Sequence, residues 1–76
     1  MSPHLPVVSG RKLVKALSKV GYLEDHQTGS HIILRHELPP HRRITIPNHA
    51  EIARGTLRGI LRETGLTVGE LRELLK

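Results

Sequence analysis

The sequence contains no cysteine, no tryptophan and no phenylalanine, and only one tyrosine among its 76 residues. Without cysteine the chain has no disulfide, no thiolate nucleophile and no cysteine-ligated zinc site, and this composition fits a reducing compartment. The chain also lacks an apolar run near the ~20 residues that cross a bilayer, and its N-terminus lacks the apolar core of a signal peptide. We therefore expect a cytoplasmic protein with no membrane partner.

The shortage of aromatic residues and the short chain together limit the core. A domain of this size buries only ~60% of the surface that its unfolded chain exposes, so its core must be a thin layer of aliphatic side chains. We expect one domain over residues 1–76, with no room for a deep catalytic cavity. Any chemistry must therefore lie on a surface or in a shallow groove.

Acidic residues are scarce as well. Seven Asp and Glu stand against twelve Lys and Arg, which gives a formal net charge of +5. Residues 1–23 contain four of the basic residues and no acid. Such a surface attracts polyanions. The alternative interpretation is a soluble protein whose charge simply stays away from zero.

Cap and turn residues mark the first helix and the strands. Residues 1–8 predict an extended lead-in, and a helix then begins at the N-cap Ser9 and ends with Gly21 at the C′ position. The apolar period next changes to two, which predicts a hairpin with Gly29 in its turn. A third strand over residues 42–46 is predicted to end at Pro47.

The remaining residues predict two short helices. We predict a connector over residues 48–54 and then a helix that ends at Gly65. Thr67 and Glu70 form a capping box that begins the last helix. The predicted class is α+β, with a three-stranded antiparallel sheet covered by helices on one face. Alternation places the following residues on the other, exposed face: His31, Ile33, Arg35, Arg43 and Thr45.

Several kinds of site do not fit the sequence. The six histidines show no helical i, i+4 pair and no dense cluster with carboxylates, so we predict no metal. The seven glycines form no phosphate-binding loop, and we predict no other cofactor. A serine hydrolase is disfavoured because Ser30 and His31 are neighbours on a strand and no acid is placed to orient the imidazole.

Gly29-Ser30-His31 at the turn is the remaining candidate for chemistry. An imidazole can take a proton from a ribose 2′-hydroxyl or give one to a departing 5′-oxygen without any metal. On a basic protein this chemistry indicates RNA cleavage. The alternative is that His31 is an ordinary solvated surface residue.

Four stretches of the chain together resemble the signature of the HicA, or YcfA-like, toxin family. They are Gly21-Tyr22, Gln27-Thr28-Gly29-Ser30-His31, Ile46-Pro47-Asn48-His49 and the run over residues 55–67. Each stretch alone is a weak signal, but their order and spacing are specific, and the resemblance extends over about residues 9–75. The sequence departs from the family at Tyr22, where Phe is more usual, and at a Pro-Pro turn with Glu37 in place of an Asp-Gly type of turn.

The resemblance implies the toxin of a type II toxin–antitoxin pair, acting as an mRNA interferase. It implies a fold like that of a double-stranded-RNA-binding domain, with α-β-β-β-α order. It also implies that His31 is the catalytic histidine and that a HicB-like antitoxin binds the toxin and covers it.

We therefore predict an endoribonuclease that uses His31 as general acid or base. The predicted RNA contacts are Lys12, Lys15, Lys19, Gly29, Ser30, Arg35, Arg43 and His49, with a loop-fixing hydrogen bond as the alternative role of His49. Because the chain has no aromatic stacking platform, contacts should fall on phosphates and riboses, with loose sequence specificity and strong salt dependence. Two alternatives are a non-catalytic RNA-binding module of the same fold and an interaction subunit silenced by a partner.

Overall fold

A computed structural model describes residues 4–76, so residues 1–3 of the predicted lead-in lie outside the described part. The elements in chain order are α1 (Gly10–Ser18), β1 (Tyr22–Thr28), β2 (His31–His36), β3 (Arg43–Pro47), α2 (Arg54–Thr64) and α3 (Val68–Leu74). The α+β class and the order of the elements are as predicted. The architecture agrees with a fold like that of a double-stranded-RNA-binding domain.

Helix α1 begins as its sequence predicts and ends earlier. The Ser9 side chain accepts a hydrogen bond from the Lys12 backbone N–H at 3.1 Å, which satisfies one of the free donors of the first turn. The C-cap is Lys19, so Gly21 is the second residue beyond it and not the C′ residue that we predicted. Gly21 has a left-handed φ of 96°, and a β-carbon there would lie 2.7 Å from the His36 ring. Position 21 therefore requires glycine both for its backbone conformation and because the His36 ring leaves no room for a side chain.

The three strands form one antiparallel sheet in the order β1-β2-β3. Strand β3 begins one residue later than predicted and includes Pro47. The register pairs Ile32 with Ile46 and Leu34 with Ile44, so these side chains share a face. All four are buried, as alternation predicts.

The helices cover that apolar face. Leu13, Ala16 and Leu17 of α1 and Leu57, Ile60 and Leu61 of α2 belong to one buried cluster with the sheet's isoleucines and leucines. None of the three helices within residues 4–76 packs on the opposite face of the sheet, and we call it the open face. Cross-strand pairing places on it Leu23, His26, Thr28, His31, Ile33, Arg35, Arg43 and Thr45.

The two C-terminal helices are separated by a left-handed glycine. Helix α2 begins at Arg54, inside the stretch that we predicted as a connector. Gly65 has a φ of 76° and is itself the C-cap, and its N–H donates to the Leu61 carbonyl at 2.8 Å. The predicted capping box is present: Glu70 N–H donates to Thr67 Oγ1 at 3.0 Å, and Thr67 N–H donates to Glu70 Oε1 at 2.9 Å.

Among residues 4–76, no helix has the length and apolar character that crossing a membrane requires.

Candidate active site

The turn before His31 is a two-residue connection. Thr28 and His31 are paired across the hairpin, so Gly29 and Ser30 alone form the loop. Gly29 has a φ of 52°, and His41 is the only non-glycine residue among 4–76 with a positive φ. A positive φ at the first loop residue alone is the pattern of a type II′ turn, which selects glycine there. A β-carbon on Gly29 would meet no atom within 4 Å, so its backbone conformation and not crowding requires glycine.

The loop after β3 is fixed against this turn. The Asn48 N–H donates to the Ser30 carbonyl at 2.7 Å, and the Gly10 N–H donates to the His49 carbonyl at 2.9 Å. A β-carbon on Gly10 would overlap the Pro47 carbonyl oxygen, so α1 begins directly against the loop. The stretch that ends in Gly29-Ser30-His31 and the stretch Ile46-Pro47-Asn48-His49, which are distant in sequence, therefore meet at one end of the sheet.

His31 is the first residue of β2 and lies on the open face. It is paired with Thr28 on one side and Pro47 on the other, and its side chain is exposed. No hydrogen bond among residues 4–76 involves its imidazole, so both ring nitrogens are free to meet a substrate. Strand pairing on both sides therefore fixes the backbone of His31, while its imidazole is accessible to a bound molecule.

Two predicted basic contacts share the open face with His31. Arg35 and Arg43 are directly opposite each other in the β2–β3 register, and both are exposed. Neither takes part in an ion pair within residues 4–76. Two adjacent guanidinium groups without carboxylate partners form a site suited to phosphate oxygens.

The structure adds two candidate site residues that were not predicted from the sequence, Asp25 and His26. A β-bulge lies between Glu24 and His26, and it leaves Asp25 without a partner on β2. His26 Nδ1 lies 2.7 Å from Asp25 Oδ2, and His26 faces Ile33 on the open face. The hydrogen bond from His26 lowers the pKa of Asp25, and the charges of His26, Arg43 and Arg35 lower it further.

The signal for this pair was present in the sequence as adjacent Asp and His residues. Regular alternation would place Asp25 and His26 on opposite faces of a strand, which is why the pair was not predicted. The bulge removes that restriction because it inserts one extra residue and turns the backbone locally. Of the six histidines, only His31 and His49 had a role predicted from the sequence, so His26 was not predicted.

The predicted lysine contacts lie elsewhere. Lys12 and Lys15 of α1 and its C-cap Lys19 are exposed and border a groove of about 370 Å³ between α1 and α3. Helix α1 packs on the face of the sheet opposite the open one, so the structure does not bring these lysines beside His31. Lys19 Nζ donates to the carbonyl oxygens of Leu74 at 2.7 Å and Lys76 at 3.3 Å, so it already has partners at the end of α3.

His49 is exposed in the loop next to the turn. The hydrogen bond that fixes this loop comes from its backbone carbonyl, which accepts from Gly10, and not from its imidazole. Any residue type would supply that carbonyl, so the structure gives no loop-fixing role to the imidazole.

Within residues 4–76 there is no group of three or more His, Asp or Glu side chains that would hold a metal ion.

These features define a class of protein: a small α+β domain whose uncovered sheet face carries exposed histidines and arginines above an aliphatic core. A sequence profile described as "HicA toxin of bacterial toxin-antitoxin" matches residues 10–66, which is more than half of the chain. The chain therefore belongs to the HicA toxin family of bacterial toxin–antitoxin systems, and membership implies an antitoxin partner. The comparison with curated proteins gave no match.

Proposed function

We propose that this protein is the RNA-cleaving toxin of its toxin–antitoxin pair, an endoribonuclease that acts in the cytoplasm on mRNA. The observation that carries the proposal is the position of His31, which is exposed on the open face at the turn. Its imidazole can exchange protons with a ribose 2′-hydroxyl or a departing 5′-oxygen, and this chemistry needs no metal. Arg35 and Arg43 on the same face would bind the phosphates that flank the scissile bond.

The test is the His31→Ala variant, compared with the parent on a labelled RNA in the presence of EDTA. The rate should fall by about 10²–10⁴-fold, the usual contribution of one acid–base group. Circular dichroism must show that the variant is folded. His4→Ala is the matched control, because His4 is also exposed but lies at the helical side, where its carbonyl accepts from Arg72.

The products distinguish the mechanism from simple RNA binding. Attack by the 2′-oxygen leaves a 2′,3′-cyclic phosphate or, after hydrolysis, a 3′-phosphate. RNA that is retarded on a gel but stays intact would support the non-catalytic RNA-binding alternative. Cleavage by His31→Ala at the parent rate would show that the catalytic assignment is wrong.

We further propose that a HicB-like antitoxin inhibits the enzyme by covering His31. Apolar side chains support this: Leu23 is 48% exposed, and Ile33 is only partly covered on the same face. Phosphates and riboses do not require such apolar surface, whereas a protein interface does. Titration of the toxin with its antitoxin should protect His31 from diethyl pyrocarbonate, and an inhibited complex in which His31 still reacts freely would contradict the proposal.

A further inference from the structure

The open face carries a second histidine close to His31. In the β1–β2 register His31 is paired with Thr28, and His26 is paired with the next residue along that face, Ile33. His26 and His31 are therefore diagonal neighbours on adjacent strands. Such positions lie about 7–8 Å apart, which is within reach of two imidazoles. The bulge at Asp25 lies beyond His26, so it does not disturb this spacing.

The hydrogen bond to Asp25 fixes which nitrogen of His26 is free. The pKa of Asp25 is lowered, mainly by its hydrogen bond with His26, so the carboxylate is ionised at neutral pH. An ionised carboxylate only accepts hydrogen bonds, so Nδ1 of His26 must be the donor across the 2.7 Å contact. The neutral ring then presents the lone pair of Nε2, and the side chain is 52% exposed. A carboxylate that holds a histidine in this way also stabilises the imidazolium that forms when Nε2 takes a proton.

We propose that His26 is a second catalytic residue, the general base of RNA cleavage, with His31 as the general acid. This inference rests on the proposed function and supplies the partner that His31 needs. A single histidine that first removes a proton at one oxygen must deliver it at another on the opposite side of the phosphorus. Two imidazoles on neighbouring strands allow each to act on its own oxygen.

The step is balanced in atoms and protons. Nε2 of His26 takes the proton of the ribose 2′-hydroxyl, the 2′-oxygen forms a bond to phosphorus, and the bond from phosphorus to the 5′-oxygen breaks. His31 gives a proton to that 5′-oxygen. The products are a 2′,3′-cyclic phosphate and a 5′-hydroxyl, with His26 protonated and His31 neutral. Proton exchange with water restores both residues for the next cycle.

Several charged groups lie on or beside the open face near His26, and each is assigned a role in this reaction. Asp25 lies next to it on β1, His31 and Arg35 lie on β2, and Arg43 lies on β3. The two arginines would stabilise the charge that develops on the phosphoryl oxygens in the transition state. Among residues 4–76, Asp25 is the acid hydrogen-bonded to His26, and its role is to orient the ring.

The experiment compares His26→Ala, His31→Ala, Asp25→Asn and the control His4→Ala on the same RNA. Loss of His26 should slow cleavage by about 10²-fold or more, as expected for an acid–base group. Asp25→Asn should cause a smaller loss, because it leaves the base in place but removes the carboxylate that orients it. If Asp25→Asn cleaved RNA as fast as the parent, Asp25 would not orient the base. His26 and Asp25 are on the surface, so these variants should fold.

The pH dependence of kcat/KM separates a base from a merely structural residue. The parent should give a bell-shaped profile, because it needs one neutral and one protonated histidine. A base must be unprotonated, so activity falls at low pH because of His26, and His26→Ala should lose the acidic limb. His31→Ala should lose the alkaline limb. A His26→Ala variant that keeps both limbs would overturn the assignment.

A substrate with a good leaving group identifies the acid directly. In uridine 3′-(4-nitrophenyl phosphate) the departing phenolate needs no proton, so loss of the acid matters little. His31→Ala should recover most of the parent rate on it, and His26→Ala should remain slow. Recovery by His26→Ala would overturn its role as base. Parent-like cleavage of RNA by His26→Ala alone defeats this inference, parent-like cleavage by His31→Ala defeats the catalytic role of His31 in the proposed function, and a parent protein that leaves RNA intact defeats the proposed function itself.

Discussion

At the scale of single residues, glycines fix the shape of the site. Gly29 holds a φ of 52° in the turn before His31, and a side chain there would be strained although the space around it is open. Gly59 is also in open surroundings, but it lies in the interior of α2 with no left-handed φ, and a β-carbon would reach Arg62 only at 3.9 Å. The two positions therefore separate the effect of backbone conformation from the effect of an added methyl group.

We expect Gly29→Ala to lower the free energy of unfolding by about 1–2 kcal/mol, the cost of a left-handed alanine. Gly59→Ala should raise it by up to about 1 kcal/mol, because alanine is the better helix former. Urea unfolding of both variants measures the difference. RNA cleavage should fall in Gly29→Ala, since the turn sets the position of His31, and stay at the parent level in Gly59→Ala. Equal stabilities of the two variants would contradict this explanation.

At the scale of secondary-structure elements, the start of α1 holds the loop that follows β3. Gly10 donates its N–H to the His49 carbonyl, and the Pro47 carbonyl oxygen occupies the place of a β-carbon. The same loop is bonded to the turn through Asn48 and Ser30. A displacement of α1 is therefore transmitted to the end of the sheet where His31 lies.

Gly10→Ala should lower the free energy of unfolding by about 1–3 kcal/mol, the usual cost of forcing a group into a filled space. Because the overlapping atom belongs to the backbone, α1 or the loop must shift to relieve it. The matched comparison is Thr67→Ala, which removes the N-cap of α3 and should cost about 0.5–2 kcal/mol. At a temperature where both variants are folded, Gly10→Ala should cleave RNA more slowly than Thr67→Ala. The reverse order would show that the loop does not position the site.

Most elements could be predicted because their signals are local. Ser9, Gly29 and the capping box of Thr67 act within a few residues of themselves, and alternation alone assigned Ile32 and Leu34 to the core. The bulge at Asp25 could not be predicted, because it depends on how β1 pairs with β2 and not on its own composition. The partners of Lys19 were missed for a related reason: they lie more than fifty residues away in the sequence, on the last turn of the chain.

At the scale of the whole molecule, the cations predicted to contact RNA lie on two different surfaces. Arg35 and Arg43 lie on the open face, whereas Lys12 and Lys15 border the groove on the helical side. The molecule measures 36 × 26 × 20 Å, so a long RNA can contact both surfaces and a very short one cannot. The two sets of predicted contacts can therefore be tested separately by the length of the substrate.

The double variant Arg35→Ala/Arg43→Ala should cleave a tetranucleotide and a long RNA more slowly than the parent. Lys12→Ala/Lys15→Ala should cleave the tetranucleotide at the parent rate and lose affinity only for the long RNA. Each lost phosphate contact should reduce the slope of log affinity against log salt concentration by about 0.7 for single strands. Filter binding over a salt series gives the slopes. Slow cleavage of the tetranucleotide by the lysine variant would place these lysines at the active site.

The groove between α1 and α3 has a practical consequence for work on this protein. All four lysines of the sequence, Lys12, Lys15, Lys19 and Lys76, border it, while the cations of the open face are arginines. Dyes and resins coupled through lysine therefore attach to the helical side and leave both histidines accessible. For the same reason, a lysine-directed cross-linker will not capture a partner bound to the open face, and an arginine-directed dicarbonyl reagent is the suitable probe there.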